Sequence, residues 1–207
     1  MTARAKAKYL FLFIFINALT YFGIQFFITS SKYNLLMPLD DSIPFMPNFI
    51  WIYHTLIPVI FIALIALMKT KELFLSAITA CLLAVFILSI FYVFLPSFYP
   101  RDNYQTPDTV AGVLLKITRK LDGAHNTFPS GHVTYSWLMA FFVGLTACAR
   151  KNRWIYLTFL AWALAISIST LTLKQHYVID VVSGLALASL CYFLSKAFIF
   201  DRLSNST

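Results

Sequence analysis

The residues able to do chemistry lie in two short stretches. In Lys174-Gln175-His176-Tyr177-Val178-Ile179-Asp180, an imidazole and a carboxylate are four positions apart. On a helix that spacing puts them on one face, where the acid holds one ring nitrogen and leaves the other free to attack an electrophile. In Asn126-Thr127-Phe128-Pro129-Ser130-Gly131-His132, the serine is placed to cap a following apolar helix. The amides of Gly131, His132 and Val133 would then face outward as an anion site, and Gly131 lets a ligand approach the backbone. His132, in that first turn, is placed to protonate a leaving oxygen. Each stretch alone has a plainer reading, as a solvated His–Asp pair or as an ordinary helix start with a surface histidine. Together, with cations nearby, they suggest phosphate as the electrophile.

Composition fixes the elements that must position these groups. The 207 residues are 60% apolar and 12% charged, with 21 Phe and 11 Tyr. A soluble domain of this size could not bury that much apolar surface, so the bilayer is the expected solvent. The net charge of +8 comes from basic residues that flank apolar runs, which argues against a nucleic-acid partner. Cys81, Cys148 and Cys191 fall inside such runs and read as small buried hydrophobes. No His, Cys and Glu spacing suggests a metal site, and no cofactor is expected. The basic start is followed by an apolar run too long for a signal-peptide core, which reads as a retained first span.

Six transmembrane helices are expected, at roughly 9–29, 49–68, 73–95, from 129 to just before 150, 154–173 and 177–200. They would form a single all-α, polytopic membrane domain over residues 1–207. With the N-terminus in the cytoplasm, ten of the 16 Lys and Arg fall inside. Lys32, Arg101, Lys116, Arg119, Lys120 and Lys174 fall outside, together with every acid except Glu72 and Asp201. Both histidine stretches then face outward, toward the periplasm or exterior if the membrane is the bacterial cytoplasmic one. In the outer loop 96–130, Val110, Val113, Leu114, Ile117 and Leu121 recur at helical spacing. They describe an amphipathic helix, lying either in the membrane interface or packed as a loop helix on the bundle top.

The pair of motifs, Pro129-Ser130-Gly131-His132 followed by His176-x-x-x-Asp180, resembles the type 2 phosphatidic acid phosphatase superfamily. That superfamily includes lipid phosphate phosphatases and the sphingomyelin and inositol phosphorylceramide synthases. The resemblance implies six helices, a site at one membrane face, no metal and a phosphohistidine intermediate. It further implies His176 as nucleophile, Asp180 as its orienting carboxylate, His132 as acid–base partner, and Ser130 and Gly131 as ligands of phosphoryl oxygens. The chain departs from the family where two phosphate-gripping cations belong, since Phe94 and Thr170 stand at those positions. Lys174 and Arg101 are the expected substitutes, though a lysine lacks the bidentate grip of arginine. The runs around Lys174–Tyr177 and Asn126–Ser130 are also similar to the synthase side of the superfamily.

Three readings follow. The first is a lipid phosphatase that hydrolyses a phosphomonoester or pyrophosphate of a membrane lipid at the outer face. The second passes a phosphoryl headgroup to a lipid hydroxyl instead of water. The third is a non-catalytic, transporter-like membrane protein. His54 reads as a core residue and His125 as part of the site's rim.

Overall fold

The computed structural model describes residues 1–28 and 32–204, and it is built from helices. The expected end of the first span at Thr29 lies outside the described residues. Among the described residues, five helices are long and apolar enough to cross a membrane, which makes this an integral membrane protein. They are α1 (Ala3–Phe27), the broken run Pro47–Leu67, α5 (Lys71–Phe94), α9 (Arg153–Thr172) and the run that starts with α10 (Val178–Ser195). The fourth expected span is instead α7 (Gly131–Gly144), a 14-residue helix. At 1.5 Å per residue it reaches about 21 Å, short of a hydrocarbon core of about 30 Å. Its apolar run turns at Leu145 into a second short helix, α8 (Ala147–Lys151), capped by Thr146. α7 is the hub of the bundle, packed on α5, α9 and α10, with Val133, Leu138, Met139, Ala140, Phe142 and Val143 fully buried.

The second span is broken where the site needs space. It contains α3 (Ile50–Tyr53) and α4 (Leu56–Ile62), separated at His54 and Thr55. Pro58 explains the break, because it has no N–H to offer the carbonyl four residues back and its ring crowds that carbonyl. Below α4 the chain makes a π-helical turn at Ala63–Leu67. Lys6 of α1 closes that end, its Nζ donating to the carbonyls of Met68 at 2.6 Å and Ile65 at 3.1 Å. Helix-end carbonyls without intrahelical partners are thereby satisfied in an apolar setting. At the other end of α1, the Tyr21 hydroxyl donates to the Asp122 carboxylate at 2.6 Å. Thus α1 runs the height of the bundle, from the basic end to the end that holds the histidines.

Above the bundle lie α2 (Pro38–Ser42), the parallel pair β1 (Tyr33–Asn34) with β2 (Ser97–Phe98), and α6 (Val110–Asp122). α6 is the amphipathic helix foreseen in the outer loop. It buries Ala111, Leu115 and Thr118 and exposes Val110, Val113, Ile117 and Leu121.

Candidate active site

The two motif stretches start α7 and α10, and backbone bonds join them. The Ser130 N–H donates to the Asp180 carbonyl at 3.0 Å. Thr134 Oγ1 lies 2.8 Å from the Ser130 carbonyl and 3.1 Å from that of Gly184. A Cβ on Gly184 would stand 2.8 Å from the Ser130 carbonyl oxygen, so this close approach of α10 to α7 requires glycine. Ser130 caps α7, its Oγ accepting from the Val133 N–H at 3.4 Å, and its side chain is fully buried behind the site.

His176 has its Nδ1 2.8 Å from the Thr127 carbonyl and 3.4 Å from Asp180 Oδ2. A carbonyl only accepts, so Nδ1 carries the proton and Nε2 keeps the lone pair of a nucleophile. Helical spacing alone gives this orienting role to Asp180, whereas the nearer acceptor, the Thr127 carbonyl, belongs to the other motif. Asp180 Oδ2 also accepts from the Tyr177 N–H at 2.9 Å, which fixes the carboxylate below the ring. Were Nε2 to attack phosphorus, the ring would become cationic and Asp180 would balance the charge. Asp180→Asn should therefore lower turnover by about 10- to 100-fold, as when a group supporting an imidazole is lost. Steady-state kinetics would show it, in contrast to the ~10⁴-fold loss expected where a carboxylate alone sets the tautomer.

His132 faces His176 across a gap of 6.3 Å between ring centroids. It stacks on Tyr53 at 4.1 Å, with its Nδ1 3.4 Å from the Tyr53 hydroxyl. That hydroxyl donates to Asp122 Oδ2 at 3.4 Å, and Tyr21 and Arg101 hold the same carboxylate, Arg101 at 3.8 Å. With its proton directed to Asp122, the Tyr53 oxygen is free to accept from Nδ1. The ring is thereby held with Nε2 left for a ligand in the cavity, and the nearby Asp122 carboxylate partly offsets the burial that disfavours the protonated form. Arg101 also donates to the Gly123 carbonyl. Tyr53, Tyr21 and Asp122 were not evident in the sequence. The one available signal was Asp122 itself, an acid at the C-terminal end of α6, where the helix dipole disfavours it.

His176, His132, Tyr53, Tyr21, Asp122 and Arg101 line one cavity of about 600 Å³. His132, His176, Arg101, Gly131 and Asp122 form its polar head, and Leu10, Phe13, Ile60, Val85 and Leu88 line its apolar depth. A Cβ on Gly131 would meet only an ordinary contact, Tyr92 Oη at 3.5 Å. Packing against the protein does not demand glycine there, whereas a ligand close to the backbone would. His54 also lines the cavity and bonds Thr118 Oγ1 at 2.9 Å, tying the broken second span to α6. His125 lies on the lining too.

Lys174 is not brought to this cavity, which corrects the expectation that it grips phosphate. Its backbone is left-handed, with φ 57°, and the side chain turns toward α2. There the buried Nζ donates to the Asp40 carbonyl at 2.9 Å and sits over the Tyr104 ring. Asp40 in turn accepts from the Val178 N–H at 2.7 Å, so α2 is fastened to the start of α10. Burial pushes the Tyr177 hydroxyl well above the usual phenol range, with Asp180 and Asp40 adding to it. It stays a proton donor, bonded to Asn34 Oδ1 at 2.6 Å. Losing a charged hydrogen bond costs about 1.5–3 kcal/mol. Lys174→Ala should lower stability by that amount in a thermal melt and leave KM unchanged. The positions of the family's missing cations differ from each other. Phe94 is 78% exposed on the outside of α5, and Thr170 is buried with its carbonyl accepting from Gln175 and His176.

No curated protein matches the chain. Residues 69–204, well over half of the 207, match the PAP2 superfamily, and the match spans both histidine motifs together with α5 to α10. The chain belongs to the PAP2 superfamily.

Proposed function

We propose that this protein is a lipid phosphatase that hydrolyses a phosphomonoester or pyrophosphate of a membrane lipid through a phosphohistidine on His176. Membership of the PAP2 superfamily supports an enzyme of phosphatase or phosphotransferase type acting on lipids. The observation that carries the finer reading is the convergence of His176 and His132 at the polar head of a cavity whose depth is apolar. An amphiphile fits that division, with its phosphate at the histidines and its chain among the leucines and phenylalanines.

His176 Nε2 attacks phosphorus while the bond to the leaving oxygen breaks, and His132 delivers its proton to that oxygen. Water then attacks the phosphohistidine, with His132 taking the proton back and phosphate leaving. The Gly131 backbone and Arg101 are the proposed ligands of the phosphoryl oxygens, and Ser130 acts from behind by capping α7. The nucleophile is supplied by the protein, so the reaction needs no metal. The charge asymmetry along the chain supports an extracytoplasmic site. The exposed apolar stripe of α6 would then lie in the membrane interface.

A second reading, transfer of a phosphoryl headgroup to a lipid hydroxyl, is favoured by the charges. Lys174 is directed to Asp40, and Arg101 shares its charge with Asp122. Such a head suits the single charge of a phosphodiester better than the two of a monoester. The test is to incubate purified protein with a panel of lipid phosphates, measuring free phosphate and new lipids together, with and without chelator. Phosphate release that survives chelator supports hydrolysis. Headgroup exchange without phosphate release supports transfer, and dependence on a divalent ion would refute both.

A further inference from the structure

The cavity holds a polar side chain that neither the protein nor the steps above employ. Asn126 is 3% exposed, and neither Nδ2 nor Oδ1 has a hydrogen-bond partner. Its backbone is left-handed, with φ 60°, a conformation asparagine tolerates better than most residues. The residues around it are tightly held. Ala124 accepts from the Tyr99 N–H at 3.0 Å, the Phe128 N–H donates to Ser97 Oγ at 2.9 Å, and the Thr127 carbonyl sits on His176 Nδ1. The loop thus fixes Asn126 next to the residue that orients the nucleophile. Asn126 lines the same cavity as His132, His176 and Arg101. Among the described residues that line it, only Asn126 and Arg101 carry buried side-chain polar atoms without a partner, the carboxamide and Nε.

Buried polar groups are ordinarily satisfied, and an unsatisfied one at a reactive site marks where a ligand completes the set. We infer that Asn126 is a catalytic residue whose Nδ2 donates a hydrogen bond to a non-bridging phosphoryl oxygen, working beside Arg101. This rests on the phosphoryl-transfer reading of the site but holds for water or a lipid alcohol as acceptor. A neutral donor held rigidly in a dry site stabilises the charge that moves onto the equatorial oxygens without adding a cation. It accounts for a site of this family that has Phe94 and Thr170 where cations are expected.

The test uses Asn126→Gly, which keeps the left-handed backbone and removes the carboxamide, and Asn126→Asp, which keeps the shape and replaces the donor by an acceptor. Removing one such donor lowers kcat by about 10²- to 10³-fold. Asn126→Gly should fall in that range with KM little changed, and Asn126→Asp should fall further. Inhibition by vanadate, a mimic of five-coordinate phosphorus, should weaken in both, while melting temperatures stay at or above that of the wild type. A purely structural Asn126 would give lower melting temperatures with normal kcat in the folded fraction, and that result overturns the inference. If the wild type turns over phosphorylated lipids and Asn126→Gly retains full kcat, this inference alone fails. If the wild type neither turns them over nor binds vanadate, the reading of the site fails and this inference with it.

Discussion

Replacing His176 by glutamine should reduce turnover to background, a loss of about 10⁴- to 10⁶-fold, as when the nucleophile of a catalytic unit is removed. Glutamine is close to histidine in size, and its carboxamide can still donate to the Thr127 carbonyl that the ring now faces at 2.8 Å. The loop between the motifs should stay in place, and the melting temperature should change little. What disappears is the lone pair on Nε2, for which a carboxamide is no substitute. Phosphate release or headgroup exchange is the readout. Substantial activity in a folded His176→Gln protein would remove the nucleophile from the account.

The second large effect is at His132. His132→Gln should lower turnover of a lipid substrate by about 10²- to 10⁴-fold, the contribution of a positioned general acid and base. The nature of the leaving group separates this role from a packing defect. An activated aryl phosphate releases a phenolate that needs no proton, so bond cleavage should be nearly normal in the variant. Water must still be deprotonated to resolve the phosphohistidine, and that step should stay slow. The expected trace is therefore a burst of one phenolate per site followed by slow turnover. An equal loss for activated and ordinary leaving groups, with no burst, would contradict the assigned role. Tyr53 would then be a packing partner of His132 rather than the link that carries Asp122's influence to it.

How much of this was legible depended on whether the signal was local. The His176–Asp180 pair follows from helical periodicity, and the Ser130 cap follows from the residue types around it. Both stretches start helices where they were placed, and α6 formed from its apolar repeat. The partner of His176 Nδ1 was not legible, because the Thr127 carbonyl is 49 residues away in sequence. Tyr53 and Asp122 reach His132 from α3 and α6, and nothing in the apolar run around Tyr53 distinguishes it from a core residue. Lys174 was misplaced because its neighbours in sequence suggest the site, whereas the left-handed turn sends its side chain to α2. The span count differed for a similar reason. Hydropathy sees an apolar run before Arg150, but the turn at Leu145 ends α7 after 14 residues. The break in the second span, by contrast, was available from Pro58.

The proposed reaction turns on a covalent bond between His176 Nε2 and phosphorus. The direct measurement is to mix the protein with a lipid substrate labelled at phosphorus, quench within the first turnovers, and locate the label by peptide mapping. A phosphohistidine survives alkali and is lost in acid. Such a label is expected on His176, accumulating in His132→Gln when the leaving group is activated and absent from His176→Gln. A label that persists in His176→Gln, or one that resists acid and yields to alkali on another residue, would contradict it.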